Sequence, residues 1–146
     1  MPSDNTTTAR RVREEIWNRK DFALANDIIS GDCATYVHDP LTPAAGQGPA
    51  GFTGLVNVYK TAFPDAQCSV EEIIADGDTV AVRWTARGTH KGDLMGIAPT
   101  GRSVDVAGID IYRFKNGKIT EARTLWDAMG FAQQLGITGT AGRNAK

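Results

Sequence analysis

The sequence predicts an α+β fold: a cone-shaped, curved antiparallel sheet wrapped over N-terminal helices, with an apolar pocket inside the cone. Three observations lead there. Apolar residues recur at helical spacing as far as Phe63. Beyond Pro64 the chain changes to runs rich in Val, Ile and Thr. Asp76-Gly77-Asp78 and Lys115-Asn116-Gly117 separate neighbouring runs, as hairpin turns do. Helices first and strands afterwards is the order of an α+β domain, not of alternating βα units.

The elements follow in order. Val12, Ile16 and Trp17 form one face of a helix between Thr6 and Lys20, with Ser3, Asp4 or Asn5 as its cap. Phe22, Leu24, Ala25, Ile28 and Ile29 repeat the pattern in a second helix, which Gly31 is expected to stop. Ala34–His38 reads as a short strand ended by Asp39-Pro40, and 40–49 as a loop. A third helix runs from about Pro49 to Phe63, with Phe52, Leu55, Val56 and Tyr59 on one face. Strands are expected at Ser69–Ile74, Thr79–His90, Ser103–Phe114 and Ile119–Trp126, then a last helix from near Asp127 to Leu135-Gly136. Asp127 reads as the cap of that helix.

At 146 residues the chain fits one domain, residues 1–146, with an ordered core of about 6–137 and frayed tails at Met1–Asn5 and Gly139–Lys146. A formal net charge of −1 without any Lys/Arg run argues against nucleic-acid and membrane-surface partners. No apolar stretch nears the ~20 residues of a membrane span. Met1–Arg13 lacks the apolar core of a signal peptide, so a cytoplasmic protein is expected. Cys33 and Cys68 have no metal or redox spacing and read as buried, reduced thiols. The loop around Gly46–Gly51 lacks the context of a nucleotide site.

Alternation sorts the strand residues. Val80, Val82, Trp84 and Ala86 share the core face of their strand. In the next, Val104, Val106, Gly108, Asp110, Tyr112 and Phe114 share one face, while Ala107, Ile109 and Ile111 share the other. Both faces are apolar, which suggests that a second subunit covers the outer one, in a homodimer. Asp110 is the anomaly among apolar neighbours. A desolvated carboxylate there has a raised pKa and suits a general acid or base. The alternative is a structural Asp satisfied by a neighbouring Arg or Tyr hydroxyl.

The segment Gly88-Thr-His-Lys-Gly-Asp-Leu-Met-Gly-Ile-Ala-Pro-Thr-Gly-Arg102 resembles the strand-linking lid of the SnoaL-like polyketide cyclases. So do Asn116-Gly-Lys-Ile-Thr-Glu-Ala-Arg-Thr-Leu-Trp-Asp127 and Gly130-Phe-Ala-Gln-Gln-Leu-Gly136. The likeness extends from about Val12 to Gly136. It implies the cone fold of the nuclear transport factor and ketosteroid isomerase superfamily (the NTF2-like fold), assembled as a homodimer or homotetramer. It also implies a cofactor-independent ester cyclase that closes a ring by aldol chemistry, with no metal. The family's acid/base carboxylate falls on Thr124, and a family histidine falls on Asp110. Either the base has moved to Asp110 or the cyclase chemistry is lost.

The expected catalytic residues are therefore Asp110 as base and His38 as its partner or donor. Trp17, Tyr36, Leu55, Tyr59, Trp84, His90, Tyr112, Thr124 and Trp126 are the expected substrate-binding residues, with Tyr36 and Tyr112 as donors to an oxyanion. Their aromatic character suits a small hydrophobic or aromatic carbonyl compound. Two other functions stay open: a hydrolase using an Asp-His pair, and a non-catalytic binder of a hydrophobic metabolite.

Overall fold

The computed structural model describes residues 4–137. Its elements are α1 (Asp4–Arg11), a π-helical continuation (Val12–Trp17), α2 (Phe22–Ile28), β1 (Ile29–Val37), α3 (Gly48–Ala62), β2 (Gln67–Asp76), β3 (Thr79–Thr89), β4 (Ser103–Lys115), β5 (Lys118–Trp126) and α4 (Ala128–Gln134). The five strands form one sheet in the order β1-β5-β4-β3-β2. The α+β expectation holds, with one correction to the sheet. β2 to β5 pair antiparallel, but β1 pairs parallel with β5, so the sheet is mixed.

A second correction is local. Gly31 does not stop α2. The helix ends at Ile28, and Ile29 is already extended at φ −110° and ψ 126°. β1 then runs through Gly31 with a break in its register between Ile29 and Ala34. At the N-terminus, Asp4 and Asn5 belong to α1. The other expected tail residues, Met1–Ser3 and Gly139–Lys146, lie outside the described part. Asp127 is the cap foreseen for α4, its Oδ1 accepting the Gly130 N–H at 2.8 Å.

Strand parity came out as read. Every even residue of β4 from Val104 to Phe114 is buried and every odd one exposed. The inner face meets the helices through two apolar clusters. One gathers Ala9, Val12 and Ile16 with Leu24, Val56, Val82 and Tyr112. The other gathers Phe63, Trp84, Val104, Val106, Phe131 and Leu135. Their seam is where a cavity opens.

Gly108 sets the width of that seam. A Cβ there would lie 2.4 Å from Trp84 Cζ2 and 2.8 Å from Trp126 Cβ. Only a glycine lets the Trp84 indole lie across β4.

Candidate active site

The cavity has a volume of about 100 Å³ and opens to solvent at one side. That is smaller than the roughly 150 Å³ of a cavity that holds one benzene, so a polycyclic ligand must extend out through the opening. Trp17, Tyr59, Phe63, Trp84, Trp126 and Phe131 supply aromatic wall, from the N-terminal helix, α3, β3, β5 and α4. The rings brace one another: Tyr59 to Trp126 at 5.9 Å, Trp126 to Phe131 at 4.9 Å and Trp17 to Tyr59 at 6.4 Å between centroids.

Arg13 is a charged wall residue that the fold has buried. It is only 4% exposed and lines the cavity. Ala9, Val12, Arg13 and Ile16 are the buried positions of the first helical stretch, the spacing of a single face. The guanidinium lies 3.8 Å from the Trp84 ring centroid and 4.8 Å from that of Trp17. Its Nε and Nη2 donate to Asp110 Oδ2 and Oδ1, both at 2.8 Å. Nη1 donates weakly to Cys68 Sγ at 3.8 Å. Three of its five N–H groups are thus used and two are left. Burial alone would push the Arg13 guanidinium down, but the charge and hydrogen bonds of Asp110 outweigh it and hold it above the usual arginine range.

Asp110 is fully buried. Besides Arg13, it accepts from Trp84 Nε1 at 3.1 Å, Tyr112 Oη at 2.7 Å and Thr124 Oγ1 at 2.7 Å. All five contacts are donors, so neither oxygen has a lone pair directed at the cavity. Of the two readings the sequence left open, the surroundings found are those of the satisfied, structural aspartate, with both the Arg and the Tyr hydroxyl present.

A second polar chain reaches the cavity through α3. Tyr59 and Thr42 line it, with their hydroxyls 2.6 Å apart. Thr42 Oγ1 donates to Asp39 Oδ2 at 2.7 Å. Its single proton is therefore spent, and Tyr59 must be the donor between the two hydroxyls. Trp126 Nε1 donates to the same Asp39 oxygen at 2.6 Å, while the N–H groups of Leu41 and Thr42 hold the other. Burial pushes the Tyr59 phenol up to about 12.

The residues expected from sequence divide between these surroundings. Trp17, Leu55, Tyr59, Trp84, Thr124 and Trp126 line the cavity. His38 does not meet Asp110, and the expected pairing is corrected on that ground. Val37 faces the cavity, so alternation turns its neighbours Tyr36 and His38 outward. His38 is exposed, with Nε2 3.4 Å from Arg123 Nη1, and Tyr36 lies under the Arg123 guanidinium at 4.3 Å. Tyr112 is buried in the core and spends its proton on Asp110, so neither tyrosine serves the cavity as an oxyanion donor. His90 stands behind the wall, stacked on Phe63 at 5.2 Å, and its Nδ1 accepts the Thr100 N–H at 3.1 Å. It anchors the 91–102 loop rather than lining the cavity.

With this geometry in hand, the family resemblance has a direct check. The SnoaL-like polyketide cyclase family model matches residues 7–135. The chain belongs to the SnoaL-like polyketide cyclase family. This SnoaL-like chain is 32% identical over 127 residues to the aklanonic acid methyl ester cyclase of Streptomyces peucetius, covering 81% of its own length and 87% of the relative's. It is 31% identical over 113 residues to the nogalonic acid methyl ester cyclase of Streptomyces nogalater, covering 72% and 84%. Its fold superposes on a SnoaL-like protein from Jannaschia sp. CCS1 with a TM-score of 0.81 at 22% identity, covering 90% and 91% of the two chains. An NTF2-like protein of Burkholderia pseudomallei K96243 gives 0.75 at 20% identity, covering 92% and 98%.

Among the described residues no helix of the SnoaL-like chain is long and apolar enough to cross a membrane. No group of three or more His, Cys, Asp or Glu among them is arranged to hold a metal ion. Sequence reasoning missed Arg13, Asp39, Thr42 and Lys60. For Arg13 a signal existed: a charge four residues after Ala9 and three before Ile16 sits on the buried stripe and requires an acidic partner.

Proposed function

We propose that this protein is a cofactor-free enzyme that removes a proton beside a carbonyl of an aromatic polyketide ester and closes a ring by aldol addition. The observation that carries the reading is a pair of unsatisfied donors on one wall. Trp17 Nε1 is buried without an acceptor, and Arg13, in contact with the Trp17 ring, has two N–H groups left. Buried donors in native proteins are nearly always paired, so a pair without acceptors suits a ligand oxygen. With the guanidinium held rigidly by Asp110 in a largely apolar cavity, such donors stabilise an enolate oxygen strongly. The names of the curated relatives, both methyl ester cyclases, support the same substrate class.

Asp110 acts here by positioning Arg13, not by taking the proton. The proton path is the hydroxyl chain: it enters at Tyr59 Oη, the tyrosine proton passes to Thr42, and the threonine proton passes to the Asp39 carboxylate. Aromatic walls stack on the flat rings of the substrate and keep water from the enolate.

The test is conversion of aklanonic acid methyl ester or nogalonic acid methyl ester by the purified protein, followed by mass spectrometry. Ring closure is expected for the wild type, and a loss of about 10²–10⁴-fold in Tyr59→Phe and Asp39→Asn, the usual weight of acid/base catalysis. Full turnover in both variants would eliminate the relay. Retention of unchanged ester by the wild type would favour a non-catalytic binder instead.

A further inference from the structure

Lys60 occupies a position that lysine rarely takes. It lies in the last turn of α3, is 7% exposed and lines the cavity. Lysines are almost never buried unless paired. Yet among the described residues no carboxylate forms an ion pair with it, and its partner is a neutral one, the Ala66 carbonyl at 2.9 Å. Cys68 and Arg13 line the same cavity, joined by the weak Nη1–Sγ contact. Burial pushes the Lys60 ammonium below the usual lysine range, with Lys20 adding in the same direction and Cys68 and Asp65 opposing. A purely structural role, tying the end of α3 to the turn before β2, needs an N–H donor to Ala66 but not a free amine.

We propose that Lys60 is a carbonyl-reactive amine that forms an iminium linkage with a ketone or aldehyde seated in the cavity. Nζ attacks the carbonyl carbon, so the C–N bond forms as the C=O bond breaks. The oxygen leaves as water, taking one hydrogen from the amine and one from solvent. The cationic C=N bond then acidifies the neighbouring C–H, the step that ring closure needs; at that carbon the nitrogen takes the place of the enolate oxygen, and the Arg13 and Trp17 donors hold the conjugated ester oxygen instead. This deepens the cyclase reading and rests on it for the substrate, but its test does not require turnover.

The full-length protein is incubated with 4-hydroxybenzaldehyde and sodium cyanoborohydride, and the reduced adducts are located by peptide mass mapping. Modification is expected several-fold faster at Lys60 than at the exposed Lys20, Lys115 and Lys118, because the cavity seats the aldehyde beside its amine. Lys60→Arg keeps the charge and a donor for Ala66 and is expected to lose that adduct alone. Adducts confined to the exposed lysines, with Lys60 untouched, overturn the proposal. If the wild type closes the ester ring and Lys60→Arg does so equally well, the iminium is wrong and the cyclase reading stands. A Lys60 adduct without conversion of either ester keeps the reactive amine and removes the cyclase reading.

Discussion

Arg13 and Asp110, 97 positions apart in the chain, meet through two parallel 2.8 Å hydrogen bonds in the interior of the protein. The pair ties the first helical stretch to the central strand β4 and aims a cation along the cavity wall. Both charges are stripped of water, so each depends on the other.

Removing either partner leaves a buried charge uncompensated. Arg13→Leu and Asp110→Ala are each expected to cost about 3–5 kcal/mol of folding stability, read from urea denaturation midpoints. The double variant is expected to cost clearly less than the two added together, since no charge is left alone. It does not return to wild type, because Trp84, Tyr112 and Thr124 still lose their acceptor. Simple additivity would mean that the two groups are not coupled.

Gly108→Ala tests the seam. The added methyl carbon meets a rigid indole at 2.4 Å and backbone-linked Trp126 Cβ at 2.8 Å, neither of which can swing aside cheaply. A loss of about 1–3 kcal/mol is expected. Because Trp84 moves with its Nε1 contact to Asp110, the near-ultraviolet circular dichroism of the tryptophans is expected to change as well. An unaltered spectrum would show that the indole does not need that space.

How much of this was legible in the sequence depends on the range of the interaction. Alternation along β4 is a local property, and it placed Val104 to Phe114 on the correct face and singled out Asp110. The same alternation separates Tyr36 and His38 from Val37, but a strand starting at Ala34 leaves out Cys33, the buried residue that marks which of the two faces is inner. Gly31 reads as a helix stop because glycine gives no local sign of whether a strand follows. The parallel pairing of β1 with β5 joins Ala34–Val37 to 121–124, and no local pattern records a partner that distant. Arg13 escaped because its burial becomes visible only when helix stripe and strand anomaly are read together. Lys60 and the Asp39–Thr42–Tyr59 chain arise from side-chain packing at the seam, which periodicity does not encode.

Alkaline pH tests the buried phenols. Burial raises Tyr59 to about 12 and Tyr112 well above its ordinary 10.0, so the folded state keeps both protons at pH values where the unfolded chain releases them. The sign follows from linkage: the unfolded state binds fewer protons there, and stability falls as pH rises. Their contribution is complete below about pH 10, where an unfolded tyrosine is still protonated, and Tyr59's part is lost progressively up to about 12. Denaturation midpoints at stepped pH are expected to decline across that window, less steeply in Tyr59→Phe. A flat profile through pH 12 would contradict the burial.

The outer face of the sheet supports the last prediction. Ile109, Ile111 and Leu125 are 45%, 38% and 62% exposed, and Ile109 and Leu125 are direct cross-strand neighbours. Central strands with an apolar outer face are expected to be covered. Charges of both signs rim the patch, in the pairs Arg83–Glu72 and Arg113–Glu121, with Arg123 beside Tyr36. A two-fold axis through such a patch can set positive groups against negative ones of the other copy, which a single-sign rim would forbid. A homodimer through this face is therefore expected in light scattering coupled to size exclusion. Ile109→Lys is expected to give a monomer with unchanged secondary structure, because the side chain points away from the core. A wild-type monomer, or a dimer indifferent to Ile109→Lys, would place the contact elsewhere.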